Sequence, residues 1–296
     1  MKTHKAKKSL GQNFLKSEQA LRAIILAGEI SKNDIILEIG PGKGALTEKL
    51  LEKSNHIIAI EKDRNLFQFL QEKFSKEILE KKLILIEDDI LKVNLNKIIL
   101  ERTLGRSNGD GQRKFSAENF RGESENDFFN YKIIANIPYN ITGAILKKFL
   151  TEKNQPTMMV LMVQHEVAKR IIANDKKESI LSISVKAYGN PKMIMKVPAR
   201  YFSPAPKVDS AVIAIKNISR KIFEKRESHA SMDGARHDSA ESNEEKFWKI
   251  IHAGFAHKRK KLSGNLKNIL KNDFENIKDK RAEDLSLSDW INLTKI

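Results

Sequence analysis

The sequence predicts an α/β protein, a parallel doubly wound sheet followed by a small helical domain. Two observations carry the first half of that expectation. Short aliphatic runs alternate with longer stretches whose apolar residues recur at helical spacing, and a glycine-rich turn, Gly40-Pro41-Gly42-Lys43-Gly44, joins the first such run to the next helix. A third carries the second half: Phe247, Trp248, Ile251 and Phe255 fall on one helical stripe, and Leu266, Ile269, Leu270, then Leu285, Leu287, Trp290 suggest two or three further short helices.

Residues 1–16 form a basic arm that closes in Gln12-Asn13-Phe14-Leu15. Ser17 can cap a helix whose apolar stripe is Leu21, Ile24 and Ile25. Ile35–Ile39 reads as a buried strand, Ala45–Lys53 as a helix and His56–Ile60 as a second strand closing with Glu61. Asp63–Leu79 reads as one helix, and Leu83–Ile86 as a third strand before Glu87-Asp88-Asp89. The pattern then lapses. From 102 to 130 there are four glycines, charges of both signs and no apolar period, so this stretch is expected to be a flexible surface insertion.

Order resumes with the apolar run Ile133-Ile134-Ala135 leading into Asn136-Ile137-Pro138-Tyr139-Asn140. Pro138 has no N–H and ends the ladder, so a carboxamide and an aromatic ring are delivered at a strand end, where open α/β sheets bind ligands. A helix over Gly143–Leu150, a strand over Met158–Val163 and a helix over Glu166–Ile172 follow. Ile180–Ala187 and Met193–Val197 look strand-like or buried, and Pro204 and Pro206 exclude helix from the Tyr201–Lys207 connection. Val208–Ile215 is expected to be a strand rejoining the sheet. A second polar stretch, 219–243, reads as linker, after which Ser242 and Glu245 make a capping box. The domains predicted are therefore 1–217, α/β, and 218–296, linker and helical.

The chain carries 54 Lys and Arg against 38 Asp and Glu, a formal net charge of +16, which points to a polyanionic partner: nucleic acid first, anionic membrane second. Lys258-Arg259-Lys260-Lys261 concentrates this charge at a helix end and suits phosphate contact. No apolar run approaches the roughly 18–20 residues of a membrane span, and the basic start lacks the apolar core of a secretory signal. With no cysteine and seven scattered histidines, neither disulfides nor a metal site is expected. A cytoplasmic protein is the expectation, and a monomer the default.

The glycine turn discriminates among nucleotide cofactors. A nucleoside-triphosphate loop would end in Gly-Lys-Ser/Thr, but Ala45 follows Gly44, so that reading fails. The spacing G-x-G-x-G also departs from the dinucleotide fingerprint G-x-G-x-x-G, which weakens that reading. S-adenosylmethionine remains, its carboxylate the anion near the helix N-terminus. Glu61, about twenty residues on, can accept both ribose hydroxyls, and Asp89 can accept from the adenine amine. Glycine turn, acid and acid thus end three consecutive strands.

Taken as an ordered set, these motifs resemble the ribosomal RNA adenine N6-dimethyltransferases: Gln12-Asn13-Phe14-Leu15, Glu38-Ile39-Gly40-Pro41-Gly42-Lys43-Gly44, Glu61, Asp89, Asn136-Ile137-Pro138-Tyr139-Asn140 and Phe202-Ser203-Pro204-Ala205-Pro206-Lys207-Val208-Asp209-Ser210. The resemblance is greatest to the small-subunit enzymes, which make two adjacent dimethyladenosines near the 3′ end of 16S rRNA. It implies a Rossmann-like S-adenosylmethionine-dependent domain and a small RNA-binding domain, with the precursor of the small ribosomal subunit as partner and no membrane involved. It also implies roles: Asn13 and Leu15 closing over the cofactor, Gly40 at its methionine end, Glu61 on its ribose and Asp89 on its adenine. Asn136 would stand between cofactor and target base, with the Pro138 carbonyl beside it and Tyr139 and Phe202 stacked on the base. Only the ring of Tyr139 is required by this reading. The alternatives are the large-subunit methyltransferases of macrolide resistance, which tend to differ at the Gly40-Pro41-Gly42 turn and before the prolines of the Phe202 motif, and a non-catalytic ribosome-assembly factor.

Overall fold

The computed structural model describes residues 7, 10–95, 97–98, 120–121, 128–173, 175–224, 242–270 and 277–294. Internal packing divides the chain into two units, Met1–Ala168 with Pro191–Ile218, and Lys169–Asn190 with Ser219–Ile296.

The first unit is built on a seven-stranded sheet. Its strands are β2 (Ile35–Ile39), β3 (His56–Glu61), β4 (Leu83–Glu87), β7 (Tyr131–Asn136), β8 (Met158–Gln164), β9 (Asn190–Val197) and β11 (Ser210–Lys216), in the order β4-β3-β2-β7-β8-β11-β9. All five residues of β2 are buried. Such a run suits a strand covered on both faces, and each fully buried aliphatic contributes about 1.5–3 kcal/mol. The helices that cover it include α1 (Glu18–Ala27), α2 (Ala45–Leu51), α3 (Arg64–Lys73) and α5 (Thr142–Thr151). Ser17 caps α1 as expected, its side chain accepting from the Ala20 N–H.

Strands β4, β3, β2, β7 and β8 are mutually parallel, but β11 runs antiparallel to β8. The expectation of a parallel sheet therefore needs correction at its far edge. No α-helix lies between β9 and β11, so the last strand lacks the crossover that a parallel neighbour requires. The stretch read as one helix over 63–79 is two, α3 and α4 (Ser75–Leu79), meeting at Phe74. Most of 102–130 lies outside the described residues. Within it, β5 (Phe120–Arg121) and β6 (Phe128–Phe129) pair antiparallel, so it is not wholly without structure. Positions 225–241 of the expected linker also lie outside them.

After α6 (His165–Ile172), the second unit contains Ile180–Lys186 (α7), where a strand-like or buried segment was expected: it is a helix, and Ser182, Ile183 and Val185 are buried. It also holds α8 (Asn243–Gly254), α9 (Leu262–Asn265) and α10 (Leu287–Thr294). Ser242 and Glu245 form the predicted capping box. The segment before β9 joins this unit through polar contacts: the Tyr188 hydroxyl donates to Glu244 and accepts from Trp248 Nε1–H at 3.2 Å, while Arg220 holds the other Glu244 oxygen. Trp290 is fully buried against Gly254, where an added Cβ would come within 2.4 Å of the indole. No described helix is long and apolar enough to cross a membrane.

Candidate active site

The carboxyl ends of β2, β3, β4 and β7 open into one cavity of about 570 Å³. Its lining includes Asn13, Leu15, Gly40, Glu61, Asp89, Asn136, Pro138 and Tyr139. The sequence-predicted site residues therefore converge, with one exception. Phe202 does not line the cavity; it is 2% exposed and packed in the core. It lies in β10 (Phe202–Ser203), paired antiparallel with β1 (Phe14–Leu15), so that Leu15 faces Phe202 and Phe14 faces Ser203. The ring is committed to seating that ribbon, and it is Ser203 that reaches the cavity wall.

At the end of β2 the chain turns on glycines in the left-handed region, with φ of +64° at Gly40 and +63° at Gly42. A side chain there costs roughly 1–2 kcal/mol. At Gly42 an added Cβ would also meet the Phe14 ring at 3.1 Å. The glycine N–H groups are already used: Gly40 donates to the Ile60 carbonyl, Gly44 to that of Pro41, and Gly42 to Glu61 Oε2 at 3.1 Å. What these glycines supply to a ligand is close approach.

Glu61, 6% exposed, accepts at Oε1 from the Asp63 N–H at 2.8 Å as well. Burial holds its carboxyl above the usual range, and the N–H donors of Asp63 and Gly42 oppose that rise. Each carboxylate oxygen keeps a lone pair for a further donor. Asp89 is half-buried and bonded to Lys62 Nζ at 2.9 Å and to the Leu91 N–H at 3.0 Å. The Lys62 contact holds its carboxyl below the usual range.

Two acids were not assigned roles from the sequence. Glu38 lines the cavity at 1% exposure, and its Oε2 accepts from Thr47 Oγ1 at 2.7 Å. Burial pushes its pKa up to about 8 against that hydrogen bond, with the Glu61 charge adding to the rise. Asp63, 2% exposed, accepts from Lys7 Nζ and Gln12 Nε2, each at 2.9 Å, and from the Asn65 N–H at 3.0 Å. Burial raises its pKa, yet these donors outweigh burial and the carboxyl lies below the usual range. In the sequence Asp63 reads as the first residue of a helix; nothing there signals its link to the arm.

On the opposite wall, Asn136 Nδ2 donates to the Asn13 carbonyl at 3.3 Å, which leaves its Oδ1 as the accepting end. The Pro138 carbonyl accepts from the Ile141 N–H at 3.2 Å and retains a second lone pair. Tyr139 stands half-buried in the single turn Tyr139–Ile141, its hydroxyl bonded to Ser210 Oγ on β11. Among the described residues, no three His, Asp or Glu side chains are grouped as metal ligands would be.

A sequence model described as Ribosomal RNA adenine dimethylase matches residues 3–296. A protein of Dehalococcoides mccartyi named ribosomal RNA small subunit methyltransferase A is 36% identical, the match covering 97% of this chain and 87% of that one. A Fusobacterium nucleatum protein of the same name is 34% identical over 99% of this chain and 97% of its own. Among solved structures, a dimethyladenosine transferase from Plasmodium falciparum aligns with a TM-score of 0.68 at 22% identity, covering 96% of this chain and 98% of that one. The 23S rRNA methyltransferase ErmE aligns at 0.66 and 18%, with the same coverage. Scores this close show the shared fold and do not choose between substrates.

Proposed function

The chain belongs to the ribosomal RNA adenine dimethylase family, and from that premise we propose that it transfers methyl groups from S-adenosylmethionine to N6 of two adjacent adenosines near the 3′ end of 16S rRNA, giving N6,N6-dimethyladenosine during small-subunit assembly. The observation that carries this reading is the single cavity shared by the glycine turn, Glu61, Asp89 and the Asn136–Tyr139 segment. The small-subunit assignment rests on relatives of that name matching nearly the whole chain.

The residues present fit the cofactor. The turn at Gly40 gives its methionine end room, Glu61 has lone pairs for the ribose hydroxyls, and Asp89 is held as an ionised acceptor for the adenine amine. When bound, S-adenosylmethionine supplies a methyl already activated on a sulfonium, so no metal is called for.

The remaining difficulty is the acceptor, because the adenine N6 lone pair is delocalised into the ring. In the first transfer Asn136 Oδ1 and the Pro138 carbonyl each accept one N6 hydrogen, and in the second the one hydrogen left on N6 keeps one of these acceptors, which favours a pyramidal nitrogen with its lone pair directed away from them. The base stacks on Tyr139, repaying with ~1–3 kcal/mol part of the cost of leaving the RNA stack. No strong base stands in this segment. Orientation can contribute ~7–11 kcal/mol against roughly 3–5 for general acid–base catalysis, so the rate is assigned to orientation. The proton released after transfer goes to water.

In the second unit, Lys258, Arg259 and Lys260 are exposed at the end of α8 and meet rRNA phosphates, which positions the protein without reading sequence. The protein works as a monomer in the cytoplasm, where small subunits are assembled. The test offers unmethylated small subunits and protein-free large-subunit rRNA in parallel with labelled cofactor. N6,N6-dimethyladenosine in the small subunits alone is the expected result; label only in large-subunit RNA would replace the proposed substrate.

A further inference from the structure

The N-terminal arm borders the cavity with few apolar anchors: between Leu10 and Leu15 it is mostly polar, and only Leu15 is fully buried. It is held by hydrogen bonds at two ends. On one side the Lys16 N–H donates to the Tyr201 carbonyl at 2.8 Å and β1 pairs with β10. On the other, Gln12 Nε2 and Lys7 Nζ both reach the carboxylate of Asp63. Between the two attachments lies Asn13, whose carbonyl receives the Asn136 amide. Asp63 also fixes the adjoining acid, since its own N–H donates to Glu61 Oε1.

The buried carboxylate of Asp63 therefore holds the arm and, through Gln12 and Asn13, bears on the carboxamide at the reaction centre, while the backbone N–H of the same residue holds the ribose-side acid. A helix cap alone would need only the Asn65 N–H. We propose that Asp63 is a positioning residue for methyl transfer: it clasps the arm across the cavity and so fixes the direction in which Asn136 presents its oxygen. This rests on the methyltransferase reading above. The Asp63 side chain does not line the cavity; it acts through Lys7, Gln12 and Asn13.

The geometry offers an exchange of donor and acceptor. In wild type the Gln12 amide donates to the Asp63 carboxylate. In D63N the amide oxygen stays with Lys7 Nζ and the Asn65 N–H, which turns its NH2 toward the NH2 of Gln12, and Q12E alone sets two carboxylates together. The double variant restores one donor and one acceptor in reversed order. An asparagine still caps helix α3, and a glutamate can still accept from the Lys7 N–H now bonded to Gln12 Oε1. Each single variant is expected to lose ~10-fold in kcat/KM for S-adenosylmethionine, the scale of a charge-assisted hydrogen bond, with part of the loss in kcat. The double variant is expected to regain most of it.

Trypsin cleavage at the arm lysines, followed in the same samples without RNA, reads the clasp apart from activity. Faster nicking in both single variants and slower nicking in the double is expected. Singles that match wild type in kinetics and nicking overturn the proposal, as does a double variant no better than the worse single. If wild type transfers no methyl to any RNA, the functional reading fails, while the nicking series still decides whether the clasp exists.

Discussion

The two walls of the cavity are built differently. The wall formed by β2, β3 and β4 is redundant: glycine turn, Glu61 and Asp89 each contribute, and the acids are fixed by backbone N–H groups or by Lys62. The facing wall depends on Asn136 at the end of β7 and the short segment after it, where a single carboxamide is held by a single hydrogen bond. The lesson is a division of labour. A ligand gripped at several points survives the loss of one, whereas an acceptor aligned by one amide does not. Variants of the first wall should weaken binding by degrees, and variants of the second should stop turnover.

The sharpest break is expected at Asn136. Asn136→Ala removes the oriented acceptor and should lower kcat by ~10³-fold or more, about 4 kcal/mol of the orientation contribution, in steady-state methyl-transfer assays. On the opposite wall, Gly40→Ala has space, since its Cβ would meet only Pro138 at 3.9 Å, but it must adopt φ of +64°. The strain of ~1–2 kcal/mol should raise the dissociation constant for S-adenosylmethionine about 10-fold with a much smaller effect on kcat. Calorimetric titration checks this, and a kcat effect equal to that of Asn136→Ala would erase the distinction between the walls.

Smaller effects sharpen it. The sequence asked only for the ring of Tyr139, but the hydroxyl is bonded to the buried Ser210. Tyr139→Phe and Ser210→Ala should each cost about 3–10-fold in kcat, the scale of one hydrogen bond. The double variant should cost no more than either, because one bond is lost in all three. Additive losses would show that the two groups act separately.

The smallest effect is on stability rather than rate. Glu38 has a folded pKa raised from 4.5 to about 8, so the folded state holds a proton that the unfolded chain releases. Its stabilisation is complete below pH 4.5 and is lost as pH rises through about 8. Glu38→Gln keeps an acceptor for Thr47 and should flatten the fall in melting temperature between pH 5 and 8, leaving the variant a few degrees more stable than wild type at pH 8. An unchanged pH profile would mean that Glu38 is ionised in the fold.

Much of this site was legible because its signals are local. Positive φ at Gly40, a proline ending the strand at Asn136 and acids at successive strand ends are each written in a few adjacent residues. What was missed depends on contacts between distant segments. Phe202 stands in a motif that suggested stacking, but its pairing with Leu15 buries it. Asp63 read only as the start of a helix, and its second role depends on Lys7 and Gln12 reaching it from the arm. Likewise Ile180–Lys186 was too short for its period to separate strand from helix, and Tyr188 joins the second unit through Glu244 and Trp248, which lie far along the chain.

The most direct test of the two-wall account measures cofactor occupancy and methyl transfer on one sample of Asn136→Ala enzyme, using saturating labelled S-adenosylmethionine and unmethylated small subunits in a single turnover. Near-full occupancy with almost no label in the RNA is the predicted result. Transfer at close to the wild-type rate, or loss of cofactor in parallel with activity, would contradict the assignment of alignment to Asn136 and of binding to the opposite wall.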